Sequence, residues 1–224
     1  MKTIIINIKR TIASLPFRGM KGFLIALALL LWGLGGSSCK EHEEVSEYAN
    51  WPSRNQHYVD SIAELAKTGT DGWSKMIAFN LIESEENHNL GNQHYIYIKK
   101  MENGEGEKNP EYNDSIRVHY LGRLIPSASY PQGYIFGKSY NTYNLDEDTD
   151  VPALLSVAEN VVGFATATMN MVVGDRWKVV VPYYLGYGTT TNSSGSIPAY
   201  STLIFDIKLA RIHKYKVDTN TTWY

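Results

Sequence analysis

The second half of the chain carries several short runs of alternating or continuous apolar residues, and these runs most constrain the fold. They are "QHYIYIKKM", "SIRVHYLGRL", "RWKVVV" and "TLIFDIKLARI", all rich in the β-branched and aromatic residues that are typical of strands. One helical stripe lies among them, formed by Val161, Phe164, Ala165, Thr168 and Met171. Several strands and one short helix predict an α+β fold, an antiparallel β-sheet wrapped around that helix.

A small helical appendage is predicted to precede this domain. In "WPSRNQHYVDSIAELAKTG", Tyr58, Ile62, Leu65 and Ala66 share one helical face. Ser53 can cap the start of this helix, and Gly69 is expected to end it. The next run, "DGWSKMIAFNLIESEENHNLGN", is compatible with either a strand or a helix. We divide the chain into a signal peptide, a tether with the helical segment, the main domain and a tail, at residues 1–38, 39–91, 92–213 and 214–224.

The beginning of the chain has the features of an export signal. "MKGFLIALALLLWGLGGSSCK" combines a basic start, an apolar run and small residues before Cys39, the one cysteine of the chain. The apolar run is short for a spanning helix, which needs about 20 such residues. The segment resembles a bacterial lipoprotein signal, which implies lipidation of Cys39 and anchoring in the cell envelope, facing the periplasm or the cell surface. A cleaved secretory signal with an incidental thiol is the alternative.

The charge balance argues against a nucleic-acid partner. Five of the 21 basic residues and none of the 23 acidic residues fall in residues 1–38, so 16 basic residues face 23 acidic ones in the remainder. An acidic chain of this kind lacks the basic surface that binding to phosphates requires. If Cys39 carries a lipid, the remainder has no internal disulfide.

Eight short motifs follow one another in the second half: "VHYLGRL", "FGKSY", "NVVGF", "MVVGD", "VVVP", "LGYG", "SIP" and "TLIFDIKL". In this order and spacing they resemble the FKBP-type peptidyl-prolyl cis-trans isomerases, over about residues 92–213. The resemblance implies an FKBP-like fold and isomerisation of X–Pro bonds in unfolded or exported polypeptides. It implies no cofactor, because rotation about an amide bond transfers no atom.

The resemblance also implies an aromatic binding cup at seven matching positions: Tyr120, Phe136, Val161, Phe164, Tyr187, Ile197 and Phe205. Aromatic walls and an aromatic floor are implied for Tyr120, Phe136 and Phe164. The implied donors are the backbone N–H of Val161, which holds a ligand carbonyl, and the hydroxyl of Tyr187. Ile197 packs beside Tyr187, and Phe205 closes the back. Ordinary core packing is the alternative for the buried aromatic positions.

Several positions depart from the family pattern. Gly137 stands where the family has an aspartate, Asn160 where it has a valine, and Ala153 where it has an aromatic rim residue. The floor is Phe164 instead of a tryptophan, and residues 129–133 resemble an insertion beside the pocket. These departures leave two alternatives open: a catalytically weak or inactive FKBP-like binding module or chaperone, and a structural subunit that docks through its N-terminal helix.

Other reactive patterns are weak. The acidic run at residues 146–150 lacks the glycine and terminal glutamate of an EF-hand loop. The six histidines are scattered, and His119 is expected to point outward from a strand, so no metal site is predicted. The serines at positions 193, 194 and 196 do not form a nucleophile elbow. The sequence leaves the oligomeric state open.

Overall fold

The structure is a computed structural model that describes residues 46–82, 90–140 and 144–215. Contacts divide the chain into two units, Met1–Glu44 and Val45–Tyr224, and the described residues belong to the second. The predicted signal segment and the lipidation site Cys39 therefore lie outside the described residues. Among the helices described, none is both long and apolar enough to cross a bilayer.

The described residues form seven strands and two α-helices. The helices are α1 (Trp51–Thr68) and α2 (Val162–Thr168). The strands are β1 (Trp73–Ile77), β2 (Tyr95–Glu102), β3 (Ser115–Arg123), β4 (Ile135–Lys138), β5 (Ala153–Ser156), β6 (Arg176–Val181) and β7 (Leu203–His213). The segment that is ambiguous in sequence thus contains a strand, β1, which pairs with β2.

All strand pairs in this sheet are antiparallel, in the order β1-β2-β6-β7-β3-β4. β5 and β4 share one edge of β3: β5 pairs with Ser115–Val118, and β4 pairs with Leu121–Arg123. β7, the last strand in the sequence, lies in the middle of the sheet between β6 and β3. The predicted antiparallel α+β fold is confirmed.

The alternating residues of the strands place a hydrophobic core on each face of the sheet. On one face, Ile98, Val179 and Ile207 pack with α2, which is short and buried along most of its length. On the opposite face, Tyr97 and Val180 pack against α1. Since successive residues of a strand point to opposite faces, the sheet lies between the two helices.

Helix α1 begins two residues earlier than its predicted cap. Asn50 is the N-cap residue, with a left-handed backbone (φ 53°), and Pro52 follows in the first turn. Ser53 lies inside the helix, so the expectation that it caps the helix is wrong. Gly69 ends the helix as predicted, with φ 66° and its N–H donating to backbone carbonyl oxygens of the last turn.

Buried hydrogen bonds attach the start of α1 to the residues just before β7. Trp51 Nε1 donates to Ser201 Oγ at 2.9 Å, and the Thr202 N–H donates to Asn55 Oδ1 at 2.7 Å. Trp51, Asn55 and both of their partners are buried. The predicted appendage is therefore joined to the sheet by polar contacts as well as by apolar packing.

His119 is not the outward, exposed residue that its strand position predicts. It is only 4% exposed and lines a groove together with Glu147 and Pro152. Its Nδ1 is buried without a hydrogen-bond partner among the described residues. Burial lowers the pKa of His119, although Glu147 and Asp150 oppose this shift.

Candidate active site

A cavity of about 260 Å³ opens between α2, the strands β3, β4 and β7, and the loop that follows β6. All seven residues of the predicted cup line it. The described lining residues are Tyr120, Phe136, Gly137, Leu155, Glu159, Asn160, Val161, Phe164, Tyr187, Asn192, Ser194, Ser196, Ile197 and Phe205. The structure therefore brings together residues that are up to 85 positions apart in the sequence, from 120 to 205.

Three phenylalanines form the apolar side of the cavity. Phe164 in the first turn of α2 meets Phe205 of β7 edge-to-face, with ring centroids 5.2 Å apart. Phe205 meets Phe136 of β4 in the same way, at 5.5 Å. Such perpendicular contacts are favourable for aromatic rings and hold them in fixed positions. Because Phe164 and Phe205 are almost fully buried and Phe136 is half-buried, these rings give the cavity an apolar side that is held in place by packing.

A glycine in β3 gives Phe136 the space it occupies. A Cβ added at Gly122 would lie 2.5 Å from Phe136 Cε2 and 3.1 Å from Phe205 Cε1. Any larger residue at this position would displace the ring from the cavity wall. The "G" of the motif "VHYLGRL" is therefore required by ring packing.

Two tyrosines supply hydroxyl groups at the cavity. Tyr120 is half-buried on β3, whereas Tyr187 is 43% exposed on the loop after β6. Burial raises the pKa of Tyr120, and the neighbouring Tyr187 adds to the increase. The Tyr120 hydroxyl consequently remains protonated at neutral pH and can donate a hydrogen bond.

Val161 adds a backbone donor where α2 begins. It is the N-cap residue of α2, with extended backbone angles, and its carbonyl oxygen accepts from the Ala165 N–H at 3.0 Å. Its own N–H has no hydrogen-bond partner among the described residues. A free N–H beside an apolar cavity can hold the carbonyl oxygen of a ligand.

The polar side of the cavity is organised by Asn192. Its side-chain Oδ1 accepts from the Ile197 N–H at 2.9 Å, and its backbone N–H donates to the Ile197 carbonyl oxygen at 3.1 Å. Its Nδ2 donates to Ser194 Oγ at 2.8 Å and to Ser196 Oγ at 3.3 Å. This network holds Ile197, which is buried, against the cavity.

Residues 106–210 match the profile of the FKBP-type peptidyl-prolyl cis-trans isomerase family, a range that contains every residue of the predicted cup. Over these residues the chain is similar to that family, and its fold is FKBP-like.

Three relatives agree with this assignment. The chain is similar to a macrophage infectivity potentiator of Trypanosoma cruzi, with 32% identity over 52% of this chain and 53% of that protein. It is similar to an FKBP-type 22 kDa peptidyl-prolyl cis-trans isomerase of Escherichia coli, with 30% identity over 52% of this chain and 50% of that protein. It is also similar to the FKBP-type isomerase FkpA of Aeromonas hydrophila, with 27% identity over 83% of this chain and 63% of that protein. The chain therefore spans about half the length of the first two relatives.

Two of the noted departures change the cavity directly. Gly137 lines it, and a Cβ added there would lie 3.2 Å from Tyr120 Oη, so an aspartate at this position would face the tyrosine hydroxyl. Asn160 also lines it, with Nδ2 donating to the Ser156 carbonyl oxygen at 2.6 Å. The cavity thus contains an amide where the family pattern has an aliphatic side chain, and it lacks the carboxylate.

Two other departures lie elsewhere. Ala153 of β5 is not among the lining residues, whereas Leu155, two residues further along the same strand, is. Pro131 and Gln132 line a different groove, which also includes Tyr58 of α1 and Lys178. The expectation that residues 129–133 lie beside the aromatic pocket is not met.

Sequence reasoning missed part of the polar lining of the cavity. Leu155, Glu159, Asn192, Ser194 and Ser196 were not selected, although each lines the cavity. The "TNSSGS" run could have indicated a loop in which an asparagine side chain bonds to nearby backbone, because short polar side chains often do so in turns.

The lining residues offer no nucleophile–base pair. None of those described is a histidine, lysine or cysteine. Ser194 and Ser196 instead bond to each other, at 2.8 Å between hydroxyl oxygens. In the part of the chain that the structure describes, no group of three or more His, Cys, Asp or Glu residues could hold a metal ion. The site is suited to chemistry that needs shape, dryness and hydrogen-bond donors.

Proposed function

We propose that this protein is a peptidyl-prolyl cis-trans isomerase that acts on X–Pro bonds of unfolded or exported polypeptides. The observation that carries the proposal is the aromatic cavity with free donors at its edge and no reactive pair among its described lining residues. This arrangement matches what the reaction requires, because rotation about the X–Pro bond breaks no covalent bond.

Resonance in the planar amide creates the barrier, which is about 18–20 kcal/mol, and uncatalysed exchange takes tens to hundreds of seconds. The planar amide is more dipolar than the twisted one. An apolar site therefore disfavours the ground state relative to the transition state, and donors placed for the twisted amide add to the difference.

Each part of the cavity has a role in this proposal. Phe164 and Phe205 receive the proline ring on an apolar surface, and Phe136 closes one side. The Val161 N–H holds a substrate carbonyl oxygen and so fixes the peptide backbone at one end. The Tyr187 hydroxyl donates to the carbonyl of the bond that twists, from the exposed loop opposite.

The proposal is tested by measuring exchange of a short X–Pro peptide, by NMR or a protease-coupled assay, with the full chain at micromolar concentration. We expect Tyr187→Phe to lower kcat/KM by about two- to ten-fold, the effect of one hydrogen bond. Tyr184→Phe is the matched control, since Tyr184 is exposed, outside the cavity lining, and packs on His94. Exchange no faster than in buffer would exclude the isomerase.

The second candidate is a binding module with the same scaffold and little turnover, and Gly137 favours it because no carboxylate faces Tyr120. Gly137→Asp separates the two functions. A large rise in kcat/KM on restoring the carboxylate would show that the native cavity is impaired. Peptide binding by the parent protein without accelerated exchange, together with this rise, would establish the binding module.

We also propose that the protein is exported and anchored in the bacterial envelope by a lipid on Cys39. The basic, apolar and small-residue pattern before Cys39 supports this location. Mass spectrometry of the protein from its native membrane would detect the lipid, and Cys39→Ala should release the protein into the soluble fraction. An unmodified Cys39 in membrane-free protein would contradict the anchor.

A further inference from the structure

Glu159 stands apart from the other residues of the aromatic cavity. Among the described lining residues it is the one that carries a charged side chain at neutral pH, since the others are aromatic, aliphatic, amide, hydroxyl or glycine residues. It is exposed, and it lies two residues before Val161. The cavity mouth is therefore negative and apolar at once.

The Glu159 carboxylate forms no ion pair with any of the described residues. The ion pairs of residues 46–82, 90–140 and 144–215 involve other carboxylates, chiefly those around Arg176, Lys208 and Lys214. The lining contains no arginine or lysine within the described residues. Its field thus acts on whatever enters the cavity.

In the binding mode proposed above, a bound peptide lies near this carboxylate. A substrate carbonyl held by the Val161 N–H brings the peptide backbone to a point two residues from Glu159. With the proline ring on the phenylalanine surface, the side chains next to the proline leave the cavity at its mouth. A lysine or arginine at such a position can reach the carboxylate with its long, flexible stem.

We propose, building on the isomerase function above, that Glu159 selects X–Pro bonds that have a basic residue directly beside the proline. Unit charges about 4 Å apart in water-like surroundings change affinity by about five-fold. Attraction of a lysine and repulsion of a glutamate act in opposite directions. We therefore expect kcat/KM for a lysine-containing peptide to exceed that for a glutamate-containing peptide by about 25-fold at low salt, the product of the two five-fold effects.

The experiment uses the full chain and matched tetrapeptides in which the residue before the proline is Lys, Leu or Glu, and a second series in which the residue after it varies. Exchange is measured by NMR at about 10 mM and 500 mM salt. The lysine-to-glutamate ratio should fall toward one at high salt, because a Debye length of about 30 Å shortens to less than 8 Å.

The variants separate Glu159 from the general acidity of the chain. Glu159→Gln should reduce the ratio to about one, and Glu159→Lys should invert it. Glu64→Gln removes the same charge from α1, on the opposite face of the sheet, and should leave both the ratio and the activity unchanged. Since the ratio is internal to each variant, a general loss of activity does not alter it.

The outcomes distinguish this inference from the proposed function. If the leucine peptide is isomerised but neither series shows a ratio above about two, Glu159 does not select substrates. A ratio that survives Glu159→Gln also overturns the inference. If none of the peptides is isomerised, the proposed function fails, and the substrate preference fails with it.

Discussion

At the scale of single residues, neighbouring side chains of one strand lie in different environments on the two faces of the sheet. Tyr120 and Phe205 face the cavity, where burial keeps a hydroxyl protonated and a ring fixed. His119, next to Tyr120 in β3, faces the other side and is buried there with an unpartnered Nδ1. A buried imidazole of this kind is tolerated in its neutral form, because the charged form would lose its hydration.

His119 should make stability depend on pH. Burial lowers its pKa, Glu147 and Asp150 oppose the shift, and Lys208 adds to it. The unfolded chain, with an ordinary histidine pKa of about 6.5, then binds more protons than the folded chain. The stabilisation from neutral His119 is present above that value and lost as the pH falls below it.

We expect the free energy of unfolding, measured in urea at pH 7.5 and 5.5, to fall less with decreasing pH in His119→Gln than in the parent protein. His57→Gln is the control, because His57 is exposed on α1. Equal pH dependence in the parent protein and His119→Gln would show that folding does not lower the pKa of His119.

At the scale of elements, the loop after β6 depends on one side chain. Asn192 closes the loop onto Ile197 by a hydrogen bond in each direction and gathers Ser194 and Ser196. Such local bonds between an asparagine and nearby backbone replace the regular hydrogen bonding that a loop lacks. The position of Ile197, and with it the polar side of the cavity, follows from this network.

Asn192→Ala should lower kcat/KM by several-fold, because Ile197 loses its support. It should lower the free energy of unfolding by about 1 kcal/mol, the value of one partly buried hydrogen bond. Asn192→Asp keeps the acceptor for the Ile197 N–H and should retain most of the activity. Ser193→Ala, at an exposed position outside the lining, is the control. An equal loss in Asn192→Asp and Asn192→Ala would indicate that the acceptor is not what matters.

The motif order was sufficient to place the strands and the aromatic residues of the cavity. Tyr120, Phe164 and Phe205 belong to periodic segments, so the pattern of each strand or helix fixes which face they occupy. Asn192 and Glu159 lie in loops, where no periodicity indicates which way a side chain points. Their contacts are therefore known only from the three-dimensional structure. β1 was ambiguous because it is five residues long and has only Trp73 fully buried.

At the scale of the whole molecule, α1 is joined to the sheet by buried polar and apolar contacts. An amphipathic stripe predicts that α1 is buried, but it does not say against which face of the sheet. Polar contacts between residues far apart in the sequence, such as that of Asn55 with Thr202, fix the face against which α1 packs. These contacts join the first described helix to the last strand.

Asn55→Ala should lower the free energy of unfolding by about 1–3 kcal/mol, because it leaves the buried Thr202 N–H without a partner. Ser53→Ala should change it by less than about 0.5 kcal/mol, since Ser53 is exposed and does not cap the helix. Urea unfolding followed by tryptophan fluorescence and circular dichroism should give one transition for both variants. Separate transitions would show that α1 unfolds on its own.

The position of β7 constrains when the sheet can form during synthesis. Among the described strands, β7 completes the middle of the sheet and is synthesised last, so β6 and β3 cannot be bridged before it arrives. This sheet therefore cannot close on the ribosome until Leu203–His213 has emerged. A truncation after residue 200 removes the central strand, and we expect it to leave the remaining strands unstructured.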